Sequence, residues 1–269
     1  MKKIKFGCHD FLNSKPLILP LVRGDLKHNF EIILDTPAKI SELLRKGKLD
    51  VGFIPSIEYL KNKGLKLIPD ICIAADGEVK SVILLSKKEI KKIKTVALDK
   101  RSKTSAALLK ILFKKFYKVN VKYLEGTKAN QKKADSRLII GDEALLFTYT
   151  SRVHTESQEH YSYIFDLGKE WKNFTKLPFV FAVIAAIPNV NLNSVSETLL
   201  KAKSIGMRNL ADIAVKSADQ AGLDYNKCYN YLSKKIKYDL ARKELKGLSR
   251  FQDLAFEVGE LREKREIRT

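Results

Sequence analysis

The chain has 269 residues, 45% of them hydrophobic, and a formal charge of +20 at pH 7. That length and apolar content allow a full core, in one large domain or in two lobes, and argue against a disordered chain. The charge is uneven: residues 86 to 135 hold sixteen Lys/Arg against four Asp/Glu, but with Arg101 as the single arginine the run reads as solvated helix faces, not a nucleic-acid surface.

In chain order, Ile4 to Cys8 is expected as a first strand, followed by a loop at Asp10 to Lys15 and a helix entered through Pro16. Thr36-Pro37 supplies an N-cap and a proline at the first helical position; Ile40, Leu43 and Leu44 form an apolar stripe that Gly47 ends. Asp50 to Pro55 is the next strand, with Ser56 placed to cap a helix over Ile57 to Asn62. Ile71 to Ala75 and Ser81 to Ser86 read as strands around Asp76-Gly77, a pair suited to a tight hairpin or loop. A new unit starts at the strand Thr95 to Asp99, with a cap region at Ser102 to Ser105. Its helix, Ala106 to Tyr117, carries Leu108, Leu109, Leu112 and Phe116 on one face.

Leu138 to Ile140 and the turn Gly141-Asp142 lead into another helix. The run Pro178 to Ile187 is a long apolar strand, too short for the roughly 18 residues that cross a bilayer. From Ser194 the pattern is helical, and no internal repeat or low-complexity linker is visible. The alternation of short apolar runs with amphipathic segments is that of βαβ units. Two lobes without a flexible joint imply crossing strands, with boundaries near Ser86 and Ala185.

Cys8, Cys72 and Cys228 are odd in number and widely spaced, which fits reduced thiols. His9, His28, His154 and His160 have no second ligand at helical spacing, so neither a metal nor any other cofactor is expected. The start, Met1 to Cys8, is basic but lacks the apolar core of an export signal, and a cytoplasmic location is the expectation.

Ligands of open α/β sheets sit where strands feed helix N-termini, whose free N–H groups favour anions. Four loops qualify: Asp10 to Pro16, Pro55-Ser56, Lys100 to Ser105 and Gly141 to Ala144. Their hydroxyl and amide side chains can bind a carboxylate, or can simply cap helices, and Asn13 can equally stabilise its own turn. His9 beside Asp10 makes a poor base and orienter, because neighbouring strand residues point to opposite faces.

Taken together and in order, FLNSKP at Phe11 to Pro16, DVGFIPSIEYL at Asp50 to Leu60, ICIAADGEVKSVILLS at Ile71 to Ser86, ALDKRSKTSAALLKIL at Ala97 to Leu112, IIGDEAL at Ile139 to Leu145 and DLGKEWKNFTKLPFVFAV at Asp166 to Val183 resemble the chorismate dehydratase family of the futalosine route to menaquinone. The resemblance spans nearly the whole chain. It implies an α/β, two-lobed, type II periplasmic-binding-protein-like fold, with parallel-rich sheets and a ligand cleft between lobe I (1–85 plus 186–269) and lobe II (86–185). It also implies a hydro-lyase that eliminates water from chorismate to give 3-[(1-carboxyvinyl)oxy]benzoate.

The candidate catalytic residue is Asn13, with Ser14, Ser56, Ser81, Thr104, Ser105, Asp142 and Phe179 as substrate contacts. The proton acceptor is either the substrate's enolpyruvyl carboxylate or a group such as Asp142. Lys15 stands where the family has arginine, which keeps the charge but loses the bidentate fork. Expected partners are the small-molecule substrate alone, without nucleic acid or membrane, in a monomer or homodimer. The alternatives are a non-catalytic binding protein for an aromatic or carboxylate ligand, and the related dihydroxynaphthoate-forming enzyme of the same route.

Overall fold

The computed structural model describes residues 3–150 and 161–267. The described residues form strands β1 (Ile4–Cys8), β2 (Phe30–Leu34), β3 (Val51–Pro55), β4 (Lys66–Ala75), β5 (Val82–Ser86), β6 (Thr95–Leu98), β7 (Lys122–Glu125), β8 (Ser136–Ile140), β9 (Tyr163–Asp166) and β10 (Phe179–Ala186). They also form helices α1 (Lys15–Val22), α2 (Pro37–Arg45), α3 (Ser56–Lys61), α4 (Lys103–Ile111), α5 (Lys128–Lys133), α6 (Gly141–Thr150), α7 (Leu167–Thr175), α8 (Leu192–Arg208), α9 (Leu210–Ala221), α10 (Tyr225–Asn230) and α11 (Arg242–Glu257). His154 and His160 lie outside the described residues.

One sheet has the order β2-β1-β3-β10-β4 and the other β7-β6-β8-β5-β9. The plan is the same in both. Three parallel strands are followed by one that runs against its two neighbours: β10 between β3 and β4, and β5 between β8 and β9. The two-lobed α/β architecture therefore holds, with sheets that are mixed instead of parallel-rich. The repeat of topology leaves no trace in the sequence because it is a repeat of pairing, not of residues.

The expected lobe boundaries move. β5 was assigned to the end of lobe I but pairs in the second sheet, while most of β10, assigned to lobe II, pairs in the first. The chain thus crosses at about residues 76–81 and returns at about 176–178. The two apolar runs chosen as boundaries are themselves the crossing strands, and an apolar run does not say which sheet it joins. For the same reason Asp76-Gly77 is no hairpin: the strands on either side of it lie in different sheets.

Local chemistry explains most element ends. Thr36 caps α2 by accepting from Lys39 N, with Pro37 in the first turn, and Ser102 caps α4 by accepting from Ser105 N. Asp166 caps α7 and also accepts from Val79 N and Lys80 N, so one carboxylate pins the helix and the crossing segment together. Ser56 does not cap α3; its hydroxyl donates to Val180 O at 2.7 Å. The helix expected to run to Tyr117 widens into π turns over Leu112–Tyr117, which bury Phe113 and leave Phe116 half-buried against Phe174.

α8 packs on α1 so closely that a Cβ at Gly206 would lie 1.8 Å from Pro16 O. Below the first sheet Trp171 is fully buried, edge-on to Phe179 and Phe251, and its indole N–H donates to Pro178 O. Each such aromatic pair adds about 0.5–1.5 kcal/mol beyond its buried area. Among the described residues no helix is long and apolar enough to cross a membrane, and no group of three His, Cys, Asp or Glu could hold a metal ion. Cys8, Cys72 and Cys228 are free and buried, and burial pushes the Cys8 thiol up to about 12.

Candidate active-site cleft

A cleft opens between the two sheets, and residues of both lobes line it. The first lobe contributes His9, Phe11, Asn13, Pro55, Ile73 and Phe181 to its lining. The second contributes Val82, Arg101, Ser102, Ser105, Ile140 and Gly141, and Val79 and Ser81 come from the first crossing. Strand ends and helix starts thus meet from both sides, with mostly apolar walls, a few neutral polar groups and the Arg101 guanidinium.

Of the expected site residues, Asn13, Ser81 and Ser105 are brought together in this lining. Asn13 sits in the short 3₁₀ turn Leu12–Ser14 that precedes α1, and its Oδ1 is buried without a hydrogen-bond partner. Tyr231 Oη donates to Ser81 Oγ at 2.8 Å, and the Asn13 side chain also reaches the Tyr231 hydroxyl. Burial raises the Tyr231 pKa, so it stays protonated. Ser102 Oγ donates to Ser105 Oγ at 2.8 Å and accepts from Ser105 N, which leaves the Ser105 hydroxyl hydrogen for the cleft.

The other expected contacts have different partners and do not border the cleft. Ser14 Oγ donates to His9 O and Phe11 O, shaping the turn that presents Asn13. Thr104 Oγ1 accepts from Ile57 N at 3.2 Å and lies 3.5 Å from Ser56 Oγ, joining α4 to α3 across the lobes. Asp142 Oδ1 accepts from Leu12 N at 3.2 Å, a second bond between the lobes; burial raises its carboxyl pKa, against the pull of that N–H and of Lys15. Lys15 itself donates to Gln220 Oε1 at 2.6 Å.

Phe179 is in the aromatic cluster under the sheet, and Phe181 lines the cleft instead. The reason is a bulge: against β4, Val180 pairs Ala74 and Ala182 pairs Ile73, so Phe181 is the extra residue and turns out of the ladder.

Among the lining residues outside the candidate set, Phe181, Ser102, Arg101 and His9 bear on the chemistry. Phe181 needed the bulge to be found, and Ser102 belongs to the Lys100–Ser105 loop, whose hydroxyls can bind a carboxylate or cap a helix. Arg101 donates to both oxygens of Asp99 and to Glu143 Oε2 at 2.8 Å, so two carboxylates hold the guanidinium beside the cleft. His9 is 4% exposed, and burial lowers its pKa to about 4. Asp10 is exposed while His9 is buried, so the two side chains part; they lie just past the end of β1, where Phe6 to His9 are all buried, so strand alternation is not the cause.

A sequence profile of a family described as menaquinone biosynthesis matches residues 4–257. The chain is 30% identical over 236 residues to the chorismate dehydratase of Thermus thermophilus, covering 83% of this chain and 86% of that protein. It is 28% identical over 250 residues to the chorismate dehydratase of Campylobacter jejuni, covering 91% and 95%. Among solved structures, the alkanesulfonate-binding protein of Xanthomonas axonopodis pv. citri superposes with a TM-score of 0.65 at 16% identity, over 99% of this chain and 96% of that one. That likeness is one of fold.

Proposed function

The chain belongs to the menaquinone biosynthesis family, and we propose from that membership and from the cleft that it is a chorismate dehydratase, a hydro-lyase acting in the cytoplasm. The observation that carries the reading is the unpartnered Asn13 Oδ1, an acceptor for a ligand hydroxyl, in a cleft that also holds the His9 ring, the Arg101 guanidinium and the hydroxyl donors of Ser81, Ser102 and Ser105. Such donors suit a dianionic ring, because they hydrogen-bond carboxylates without fixing a buried charge.

Removing water from chorismate gives 3-[(1-carboxyvinyl)oxy]benzoate, and aromatisation drives it. The C3 proton is vinylogous to the ring carboxylate, so its loss gives a delocalised anion that hydrogen-bond donors stabilise. The C3 ether and C4 hydroxyl are trans, which puts the departing proton and hydroxyl on one face and makes the elimination syn and stepwise. Asp142 is spoken for by Leu12 N and stands back from the cleft; the enolpyruvyl carboxylate of the substrate is therefore the proton acceptor in this proposal. Asn13 holds that carboxylate and the leaving hydroxyl in reacting geometry, and Ser81 and Ser105 bind carboxylate oxygens. Ser56, Thr104 and Asp142 act through the lobe contacts that set the width of the cleft.

Incubating the protein with chorismate and following the loss of one water by mass spectrometry tests the reading. A new aromatic product is expected. A fold shared with a solute-binding protein favours one rival, a non-catalytic binder; ligand binding with chorismate recovered intact would establish that rival.

A further inference from the structure

His9 follows the last residue of β1, and its ring borders the cleft between two aromatic neighbours. The Phe53 ring stacks on it at 5.2 Å and 22°, and Phe11 is tilted against it at 5.0 Å. Its backbone oxygen accepts from Ser14 Oγ at 2.6 Å, which fixes the residue from the other side. Nδ1 is buried and has no hydrogen-bond partner among the described residues.

A polar atom held buried and unpaired costs stability, and a Val, Ile or Phe would fill the same space without that cost. The neutral ring carries one donor and one acceptor. The Asn13 side chain leaves a second unpaired atom, Oδ1, in the same lining. Two residues with orphaned polar atoms on the first-lobe wall share this lining with Ser102 and Ser105 of the second.

We propose that His9 is a substrate contact and a specificity-determining residue: as a neutral imidazole it hydrogen-bonds an oxygen of the dianionic ligand from the first-lobe wall of the cleft that Ser102 and Ser105 also line. The inference rests on the dehydratase reading for the identity of the ligand. Phe11 and Phe53 hold the ring in place, so the bond is made without ordering a free side chain. A ligand lacking the matching oxygen would leave the nitrogen unpaired, which is the strongest form of discrimination a small pocket offers.

The test compares His9→Phe, which keeps the aromatic stack and removes both nitrogens, with His9→Gln, which restores a donor and an acceptor. For chorismate, KM in His9→Phe is expected to rise about tenfold or more, while His9→Gln stays within a few-fold of the parent. The melting temperature of His9→Phe is expected to be equal or higher. A purely structural role would lower that melting temperature and leave KM alone. Unchanged KM in His9→Phe, or a KM rise that His9→Gln does not reverse, overturns the inference.

Calorimetric binding of isophthalate, a stable aromatic dianion, separates this from the dehydratase reading. If the parent binds isophthalate without consuming chorismate, the dehydratase reading falls and His9 is judged on isophthalate affinity alone. If the parent binds neither compound, both fall.

Discussion

Tyr231 Oη donates to Ser81 Oγ across 2.8 Å, so a fully buried tyrosine from the C-terminal helical segment sets the direction of a hydroxyl in the cleft between the lobes. With its acceptor side occupied, Ser81 presents its own hydrogen to the ligand. Tyr231→Phe should lower kcat/KM about five- to tenfold, the worth of roughly 1 kcal/mol of hydrogen bonding. In a double-mutant cycle with Ser81→Ala the two losses should be less than additive. Full additivity would separate the two residues.

Asn13→Ala should reduce kcat about a hundredfold or more, with a smaller change in KM, because the amide acts where charge develops in the reaction. Steady-state kinetics on chorismate measure both. A kcat within a few-fold of the parent would remove Asn13 from the mechanism.

His9 makes stability pH-dependent. Its pKa in the fold, about 4, lies below the ordinary 6.5, so between those values the unfolded chain binds a proton that the native protein does not. Above pH 6.5 the group has no effect; stability then declines as pH falls toward 4, by up to about 3 kcal/mol. Urea unfolding at pH 7 and pH 4.5 should show a smaller loss in His9→Phe than in the parent. Equal losses would place the pH dependence elsewhere.

Thr104→Val removes the acceptor for Ile57 N and should cost about 1–3 kcal/mol of stability. Because Thr104 faces α3 and not the cleft lining, KM should move by no more than about twofold. A large KM change with unchanged stability would return Thr104 to the substrate.

Gly206→Ala would set a methyl group 1.8 Å from Pro16 O, and α8 would have to move off α1. A loss of about 1–3 kcal/mol is expected, read as a lower denaturant midpoint at constant m-value. An unchanged midpoint would show that the helix pair adjusts freely.

Much of the fold was legible in the residues. Thr36-Pro37 and Ser102 mark helix starts by local hydrogen bonding, and β1, β3, β8 and β10 stand out as apolar runs bounded by turn residues. What misled was pairing. Val82–Ser86 and Phe179–Ala186 have the composition of strands in either sheet, so the lobe boundaries slipped by one strand at each crossing.

The candidate site divides the same way. Asn13 and Ser105 could be chosen because each is a small polar residue at a strand-to-helix junction, whereas Ser81, expected at the start of a strand, came only with the family resemblance. Ser56 and Thr104 have the same local signature as Asn13 and Ser105, yet their hydroxyls face each other across α3 and α4. Phe179 and Phe181 differ by a bulge that no residue type announces.

By itself the sequence determined the element types, the two-lobed α/β class and the junctions at which a ligand could sit, because caps, turns and apolar periodicity act over a few neighbouring residues. Only the tertiary structure decided which junction groups face the cleft, which are consumed between the lobes, and that Tyr231 and His9 join them. Those outcomes depend on contacts between residues far apart in the chain, such as the 150 positions separating Tyr231 from Ser81, and on burial that no local pattern encodes.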